Sequence, residues 1–167
     1  KDNPTKREFI QLYKDYEKKC QQNNLVDFGE LLLRCYETLK TTPTLLEHYQ
    51  KRFNNILVDE FQDTNEIQYQ MVRLLTGKTG VAFVVGDDDQ SIYKWRGANS
   101  ANMSRFQKEF DAVRVIKMEQ NYRSTKTILD AANAVISNND ERLEKTLWTA
   151  EESGPPIKLV ANYDEYE

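Results

Sequence analysis

The sequence has 167 residues, with 23 Lys and Arg against 27 Asp and Glu, which gives a formal net charge of −4 at pH 7. This length suits one compact domain, or one domain with part of another, and an aromatic content of 11% is too high for a disordered chain. No apolar run approaches the ~20 residues that a membrane-spanning helix needs, and no signal-peptide pattern opens the chain, so we expect no membrane contact.

The cysteine, histidine and charge content excludes further classes. Cys20, Cys35 and His48 are too few for a four-ligand Cys/His zinc site or for a disulfide framework, which favours a reducing, cytoplasmic setting. The acidic balance gives no support to bulk electrostatic binding of DNA, so any contact with nucleic acid has to be local. The chain opens on Lys1 and a charged run, and we therefore expect a piece of a longer protein.

The first fifty residues predict three helices. Apolar and aromatic side chains recur at the three-to-four spacing of one helix face, at Phe9, Leu12, Tyr13, Tyr16 and Cys20. A second helix is expected to begin at Asp27, where Glu30 three residues later would complete a capping box. A third, short helix is expected to begin at Pro43.

From residue 55 onward the pattern changes to alternating strands and helices. Unbroken apolar runs predict strands that are buried on both faces of a sheet. In chain order we expect a strand at 56–58, a helix at 65–76, a strand at 81–85, a helix at 101–110, a strand at 113–118, a helix capped by Ser124, and a strand at 157–160. This alternation predicts an α/β fold, with a parallel sheet flanked by helices.

An acidic pair, Asp59 and Glu60, directly follows the first predicted strand. In a parallel α/β sheet, ligands bind beyond the carboxyl ends of the strands. An Asp at this place can hold Mg²⁺, and a Glu can orient and deprotonate the water that attacks a γ-phosphate. The alternative is that Asp59 caps the next helix and Glu60 is a solvated acid; for the dipeptide alone, this alternative is favoured.

A second polar cluster follows the next strand, over residues 84–98. The amide of Gln90 can form a hydrogen bond with a phosphate oxygen or a water. Rings and cations then alternate at Tyr93, Lys94, Trp95 and Arg96. Proteins hold single-stranded nucleic acid in this way, because bases stack on the rings while cations meet the phosphates. The alternative is that Trp95 is an ordinary core aromatic, although its charged neighbours argue against full burial.

The third cluster lies at residues 119–125, between a predicted strand and a predicted helix. Arg123, beside a helix N-terminus, is well placed for a phosphate, and Tyr122 can stack on a purine. The alternative is a surface pair between this arginine and a glutamate, with a half-buried tyrosine.

Together, the three segments carry a resemblance to a known family. DEFQDTN (59–65), VVGDDDQSIYKWRGA (84–98) and QNYRST (120–125) resemble motifs II, III and IV of the UvrD/Rep/PcrA family of superfamily 1 DNA helicases, which move 3′ to 5′ on single strands. The similarity runs along nearly the whole chain. It implies RecA-like motor domains, ATP and Mg²⁺ as cofactors, single-stranded or 3′-tailed duplex DNA as the partner, and a role in DNA repair or replication.

The resemblance also implies roles for residues at the matching positions. Asp59 would help to bind Mg²⁺ and Glu60 would act as the catalytic base. Gln62 and Gln90 would lie near the γ-phosphate, and Gln90 would link the nucleotide state to the grip on DNA.

Further roles fall on the aromatic and basic residues. Tyr93 and Trp95 would contact single-stranded bases, and Arg96 would support the coupling network. Tyr122 would stack on adenine, and Arg123 would reach the γ-phosphate from the second motor domain.

By the same resemblance the chain divides into three parts. Residues 1–40 would end an accessory helical subdomain and enter the motor, 41–118 would complete the first RecA-like domain, and 119–167 would begin the second. The family's phosphate loop, GxxxxGK[ST], does not occur, since Gly77-Lys78-Thr79 has Val72 where the first glycine would stand. We expect that triplet to be a connecting turn, and the chain alone to be inactive.

Two functions from other classes remain as alternatives. Asp59, Glu60, Asp63 and the acids at 87–89 could form a two-metal nuclease or phosphatase site. The chain could also be a non-catalytic module that binds nucleic acid. Neither alternative accounts for Gln90, Trp95 and the Tyr122–Arg123 pair together.

Overall fold

The structure, a computed structural model, describes residues 4–99, 101–139 and 145–161. The helices are α1 (Pro4–Gln22), α2 (Phe28–Thr41), α3 (Pro43–Arg52), α4 (Glu66–Thr76), α5 (Ala101–Glu109) and α6 (Lys126–Ile136), and the strands are β1 (Asn55–Val58) and β2 (Val81–Val84). Short 3-10 helices lie at Phe61–Asp63, Asp88–Gln90 and Lys94–Arg96. None of the described helices combines the length and the apolar character that crossing a bilayer requires.

The three predicted N-terminal helices are present. Asp27 caps α2 by accepting a hydrogen bond from the Glu30 amide at 2.8 Å. The expected capping box is only half formed, because the Glu30 carboxylate turns to Arg34 at 2.7 Å instead. Tyr16 on α1 donates a hydrogen bond to the second Asp27 oxygen at 2.9 Å, so the cap also ties α1 to the start of α2. Pro43 occupies the first turn of α3, where its missing N–H is not needed.

The two strands pair in parallel, as the alternation predicts. Asn55 lies opposite Val81, and Val58 lies opposite Val84. Helix α4 makes the crossover and starts with a full capping box between Asn65 and Gln68. The 77–79 triplet lies in the turn between α4 and β2, as expected. This part of the chain is a mixed helix and strand fold around a small parallel sheet.

One face of this sheet packs on an aromatic core. Phe61 and Tyr69 have no exposed surface, Phe106 from α5 is 6% exposed, and the rings of Phe61 and Phe106 meet edge to face at 5.6 Å. The prediction of strands buried on both faces is wrong in the described structure. Leu57 is 73% exposed and Phe83 is 56% exposed, because α4 and α5 cover only one face.

The predicted strands at 113–118 and 157–160 are also wrong. Neither segment forms a strand in the part of the chain that the structure describes. Most of their apolar side chains are exposed, from 54% at Val115 to 97% at Leu159. An apolar run gives a preference for extended backbone, but a strand also needs a neighbour with which to form its ladder. The described residues supply no such neighbour to these segments.

The chain leaves the two strands through a tight junction. The Val85 amide donates to the Val58 carbonyl at 2.8 Å, and the Phe61 amide donates to the Val85 carbonyl at 2.9 Å. Gly86 follows, and a Cβ there would lie 2.7 Å from Gln62 Oε1 and 3.1 Å from the Phe61 nitrogen. Only glycine lets the backbone approach this closely. A glycine at position 86 is therefore required by contact across the junction.

This close approach predicts that Gly86→Ala destabilises the protein. Overpacking at a rigid contact costs about 1–3 kcal/mol, so urea unfolding should shift to a lower midpoint. Gly29→Ala is the matched control, because its Cβ would meet only Asp27 Oδ1, at 3.4 Å, in helix α2. We expect this control to be neutral or slightly stabilising. Equal stability of the two variants would contradict the packing argument.

Candidate functional site

Asp59 and Glu60 lie where β1 ends, and both are exposed. Glu60 adopts a left-handed backbone, with φ 49° and ψ 45°, which turns the chain out of the strand. Its amide donates to Asp59 Oδ1 at 2.9 Å. Among the described residues nothing donates a hydrogen bond to Asp59 Oδ2, so this carboxylate keeps an oxygen of the kind that Mg²⁺ prefers. Asp59 therefore does not act as a helix cap, which was the alternative for this position.

Gln62 joins the two strand ends. It is 1% exposed, its Nε2 donates to Glu60 Oε2 at 2.7 Å, and its Oε1 accepts from the Asp87 amide at 2.9 Å. Both partners fix the orientation of the side-chain amide, because a carboxylate only accepts and a backbone N–H only donates. The acidic pair and the loop after β2 therefore lie on one rim of the sheet, in contact through a single buried side chain.

Asp87 organises the second loop. Its Oδ1 accepts from the Asp89 amide at 3.1 Å, and its Oδ2 accepts from the Gln90 side chain at 2.8 Å. Gln90 is exposed, and this bond uses one of its two amide hydrogens. The second hydrogen and the carbonyl oxygen of that side chain point to no partner among the described residues, so they can serve a ligand.

Lys145 fills the space between three carboxylates of this loop. Its Nζ binds Asp87 Oδ1 and lies 3.3 Å from Asp88 Oδ1 and 3.2 Å from Asp89 Oδ2. The lysine side chain is only 14% exposed. These three acids form the one group of described residues whose carboxylates are close enough to share a metal ion. An ammonium group already balances the negative charge there.

Both partners of the main ion pair are charged near neutral pH. Burial opposes ionisation of Asp87, but hydrogen bonds from Lys145 and Gln90 outweigh it, so the pKa of Asp87 lies below its ordinary value. Burial likewise disfavours the ammonium, yet the hydrogen bonds and charges of the acids raise the pKa of Lys145.

Two aromatic rings and an arginine form an exposed cluster beyond this loop. Trp95 is 79% exposed and Tyr93 is 36% exposed, with ring centroids 6.3 Å apart and planes at 54°. The Arg96 guanidinium lies 5.4 Å from the Tyr93 ring and 5.6 Å from the Trp95 ring. Trp95 is therefore not a core residue in this structure. The cluster offers flat apolar faces beside a cation.

Tyr122 and Arg123 are exposed on a loop that precedes α6. Asn121 Oδ1 shapes this loop by accepting from the amides of Arg123 at 2.9 Å and Ser124 at 2.8 Å. Ser124 is thus not the helix cap; Thr125 takes the N-cap position and makes no capping bond with its side chain.

The first two amides of α6 are already paired. Its first amides, those of Lys126 and Thr127, donate to the carbonyls of Glu152 at 3.3 Å and Ser153 at 3.1 Å. Because these two backbone groups are already paired, they are not available to an anion, which leaves the Arg123 side chain as the candidate for a phosphate contact.

The sequence motifs are only partly assembled. The first two clusters meet through Gln62, whereas no hydrogen bond or ion pair among the described residues joins Tyr122 or Arg123 to that rim. Lys145, which the sequence reasoning missed, does connect the first half of the chain (residues 4–111) with the second half (residues 116–161), through its ion pairs with the acids at 87–89. No local pattern could reveal it, because 58 positions separate Lys145 from Asp87.

Comparison with known proteins agrees with the motif pattern. A family model described as the UvrD/REP helicase N-terminal domain matches residues 1–111, and one described as the UvrD-like helicase C-terminal domain matches residues 116–167. DNA helicase II of Salmonella typhimurium is 53% identical over 165 residues, and that of Escherichia coli is 52% identical over 165 residues. ATP-dependent DNA helicase PcrA of Staphylococcus aureus is 48% identical over 146 residues.

These matches cover most of this chain but little of each relative. The two DNA helicase II proteins match 99% of this chain and PcrA matches 87%, whereas the chain spans only 23% and 20% of their lengths. With two adjoining family models matching nearly every residue, the chain belongs to the UvrD/Rep family of helicases.

Proposed function

We propose that this chain is the central part of an ATP-dependent helicase that moves 3′ to 5′ on single-stranded DNA and acts in DNA repair or replication. In this proposal residues 1–40 end an accessory helical subdomain, 41–118 complete one RecA-like motor domain, and 119–167 begin a second. The family matches support the assignment, and the two models meet between residues 111 and 116. Its substrate would be single-stranded or 3′-tailed duplex DNA.

The contact through Gln62 carries the proposal. A motor of this kind needs its water-activating acid and its nucleotide-sensing amide on one rim, facing the same phosphate. Gln62 connects Glu60 to the loop of Asp87 by two hydrogen bonds of 2.7 and 2.9 Å. A carboxylate and a loop amide held this way can respond to one bound nucleotide.

Glu60 is our candidate for the catalytic base. Its carboxylate is exposed at the rim, where it can accept a proton from a water, and Gln62 fixes its direction. Asp59 would hold Mg²⁺ with its unpaired oxygen, and the ion would neutralise charge on the phosphates. The residues present fit this cation, because carboxylate oxygen is its usual protein ligand.

Tyr122 and Arg123 are our candidates for contacts with ATP from the second half. Tyr122 is 78% exposed and so has a ring face free for adenine, and the Arg123 guanidinium is free to meet a phosphate. Gln90, through its remaining amide hydrogen, would sense the γ-phosphate.

The exposed cluster of Tyr93, Trp95 and Arg96 is our candidate surface for single-stranded DNA. Its rings can stack on bases of any sequence, while the arginine beside them meets phosphate or a base face. The cluster directly follows the loop of Gln90 in the chain. A movement of that loop would therefore shift the side chains that contact DNA.

The structure offers little to the nuclease or phosphatase alternative. A two-metal site needs carboxylates from both acidic clusters within reach of shared ions. Among the described residues, however, only Asp87, Asp88 and Asp89 are grouped closely enough, and Lys145 lies between them. A non-catalytic module would not account for Gln90, Trp95 and the Tyr122–Arg123 pair together.

Glu60→Gln in the intact parent protein tests the base. Gln keeps an oxygen that accepts from Gln62, so the geometry should survive while the base is lost. We expect the steady-state ATPase kcat to fall about 10²–10⁴-fold, with nucleotide affinity preserved. Glu37→Gln on α2 is the control and should leave both values unchanged. Unchanged turnover in Glu60→Gln would remove Glu60 from this role.

Trp95→Ala in the same protein tests the DNA surface. Loss of a stacked ring should weaken binding of a single-stranded oligonucleotide by about 1–3 kcal/mol, as measured by fluorescence anisotropy over a series of salt concentrations. Trp148→Ala, which removes a half-exposed tryptophan outside the cluster, should have little effect. Equal affinities for the two variants at every salt concentration would show that Trp95 does not stack on DNA.

The chain of 167 residues, purified alone, should neither hydrolyse ATP nor unwind DNA. Its sequence has no glycine-rich loop that could cradle the β-phosphate with backbone amides. A coupled ATPase assay with and without single-stranded DNA is the measurement. Activity that DNA stimulates in the isolated chain would refute this expectation.

A further inference from the structure

We infer that Lys145 is a positioning residue of the second half, which holds the loop of residues 87–90 in the arrangement that presents Gln90. We call this loop the acidic loop. The effect of this residue on ATP hydrolysis rests on the proposed function, whereas its contacts with the acidic loop do not. The lysine comes from the region matched by the C-terminal family model, and the loop from the region matched by the N-terminal one.

The backbone just after Lys145 is held by two sets of hydrogen bonds, one to the loop before α6 and one to α6 itself. On one side the Trp148 amide donates to the Glu119 carbonyl at 2.9 Å, and the Asn121 amide donates to the Trp148 carbonyl at 2.7 Å. On the other side the Asn133 side chain, from α6, binds both backbone groups of Leu147, at 2.8 and 3.3 Å. The segment 145–148 is therefore fixed to the same loop that carries Tyr122 and Arg123.

The ammonium group is what permits three acids to lie together. The carboxylate oxygens of Asp87, Asp88 and Asp89 lie within 4.8 Å of one another. Without a cation, like charges at this distance repel and would spread the loop apart. Because Lys145 is 14% exposed, water screens this repulsion less than it would at an open surface.

Asp87 couples the position of Lys145 to that of Gln90. One of its oxygens binds the lysine and the other accepts from the Gln90 amide, so a shift of this carboxylate moves both. The Asp87 amide also binds Gln62, which in turn holds Glu60. A continuous path of hydrogen bonds and charge thus runs from the second half to the candidate base. A movement of one half relative to the other would act on the acidic loop through Lys145.

The test compares Lys145→Met, Lys145→Arg and Lys158→Met in the intact parent protein. Lys158 is an exposed lysine of the same half and serves as the matched control. Amide hydrogen exchange, measured by mass spectrometry, should rise about tenfold in residues 87–90 of Lys145→Met, while Arg restores most of the protection and Lys158→Met changes nothing. In the same variant the DNA-stimulated ATPase kcat should fall about tenfold with KM for ATP nearly constant.

The two readouts separate this inference from the proposed function. If the unsubstituted protein has no DNA-stimulated ATPase, the proposed function fails, and exchange in the acidic loop still decides the role of Lys145. If exchange in Lys145→Met equals that of the control, the positioning role is overturned. Should Lys145→Met not fold, Lys145→Gln removes the same charge but keeps a polar side chain. Unchanged exchange of residues 87–90 in Lys145→Gln would overturn the inference equally.

Discussion

The buried amide of Gln62 is the interaction on which the rest of the site depends. A side-chain amide with both ends paired in a buried position costs little, whereas an unpaired polar group there costs about 1–3 kcal/mol. Gln62 avoids that cost only when Glu60 and the Asp87 amide are both in place. Gly86 leaves the space in which this contact forms. The two loops are therefore not independent: a change in either one leaves a buried group of Gln62 unsatisfied.

Charge crowding imposes the second constraint on this rim. Three consecutive acids at the end of a strand would repel each other, and one ammonium group offsets that repulsion. The pKa of Asp87 is lowered and that of Lys145 is raised, so both stay charged near neutral pH. The cation comes from a segment fixed to the loop of Tyr122 and Arg123, which makes the stability of the acidic loop dependent on the second half.

Local signals in the sequence predict most of the helices and fail where distant partners decide. The cap at Asp27 and the helix that begins after residue 65 follow from patterns a few residues long, and the parallel pairing of β1 with β2 follows from the alternation of strands and helices. The strands expected at 113–118 and 157–160 do not form, because a ladder depends on a neighbour and not on the run itself. Lys145 could not be foreseen for a similar reason, since its partners lie 56 to 58 positions away and no short motif encodes that contact.

The strained backbone of Glu60 follows from the burial of its neighbours. A left-handed conformation costs a residue with a Cβ roughly 1–2 kcal/mol. Phe61 comes next and is fully buried, and burial of such a ring contributes about 1.5–3 kcal/mol, which is enough to outweigh that cost. Because Phe61 must enter the core and Gln62 must reach the Asp87 amide, the carboxylate of Glu60 is left at the surface of the rim. The same packing that strains this residue therefore exposes the acid to a ligand, and its direction is set by the core and not by a flexible loop.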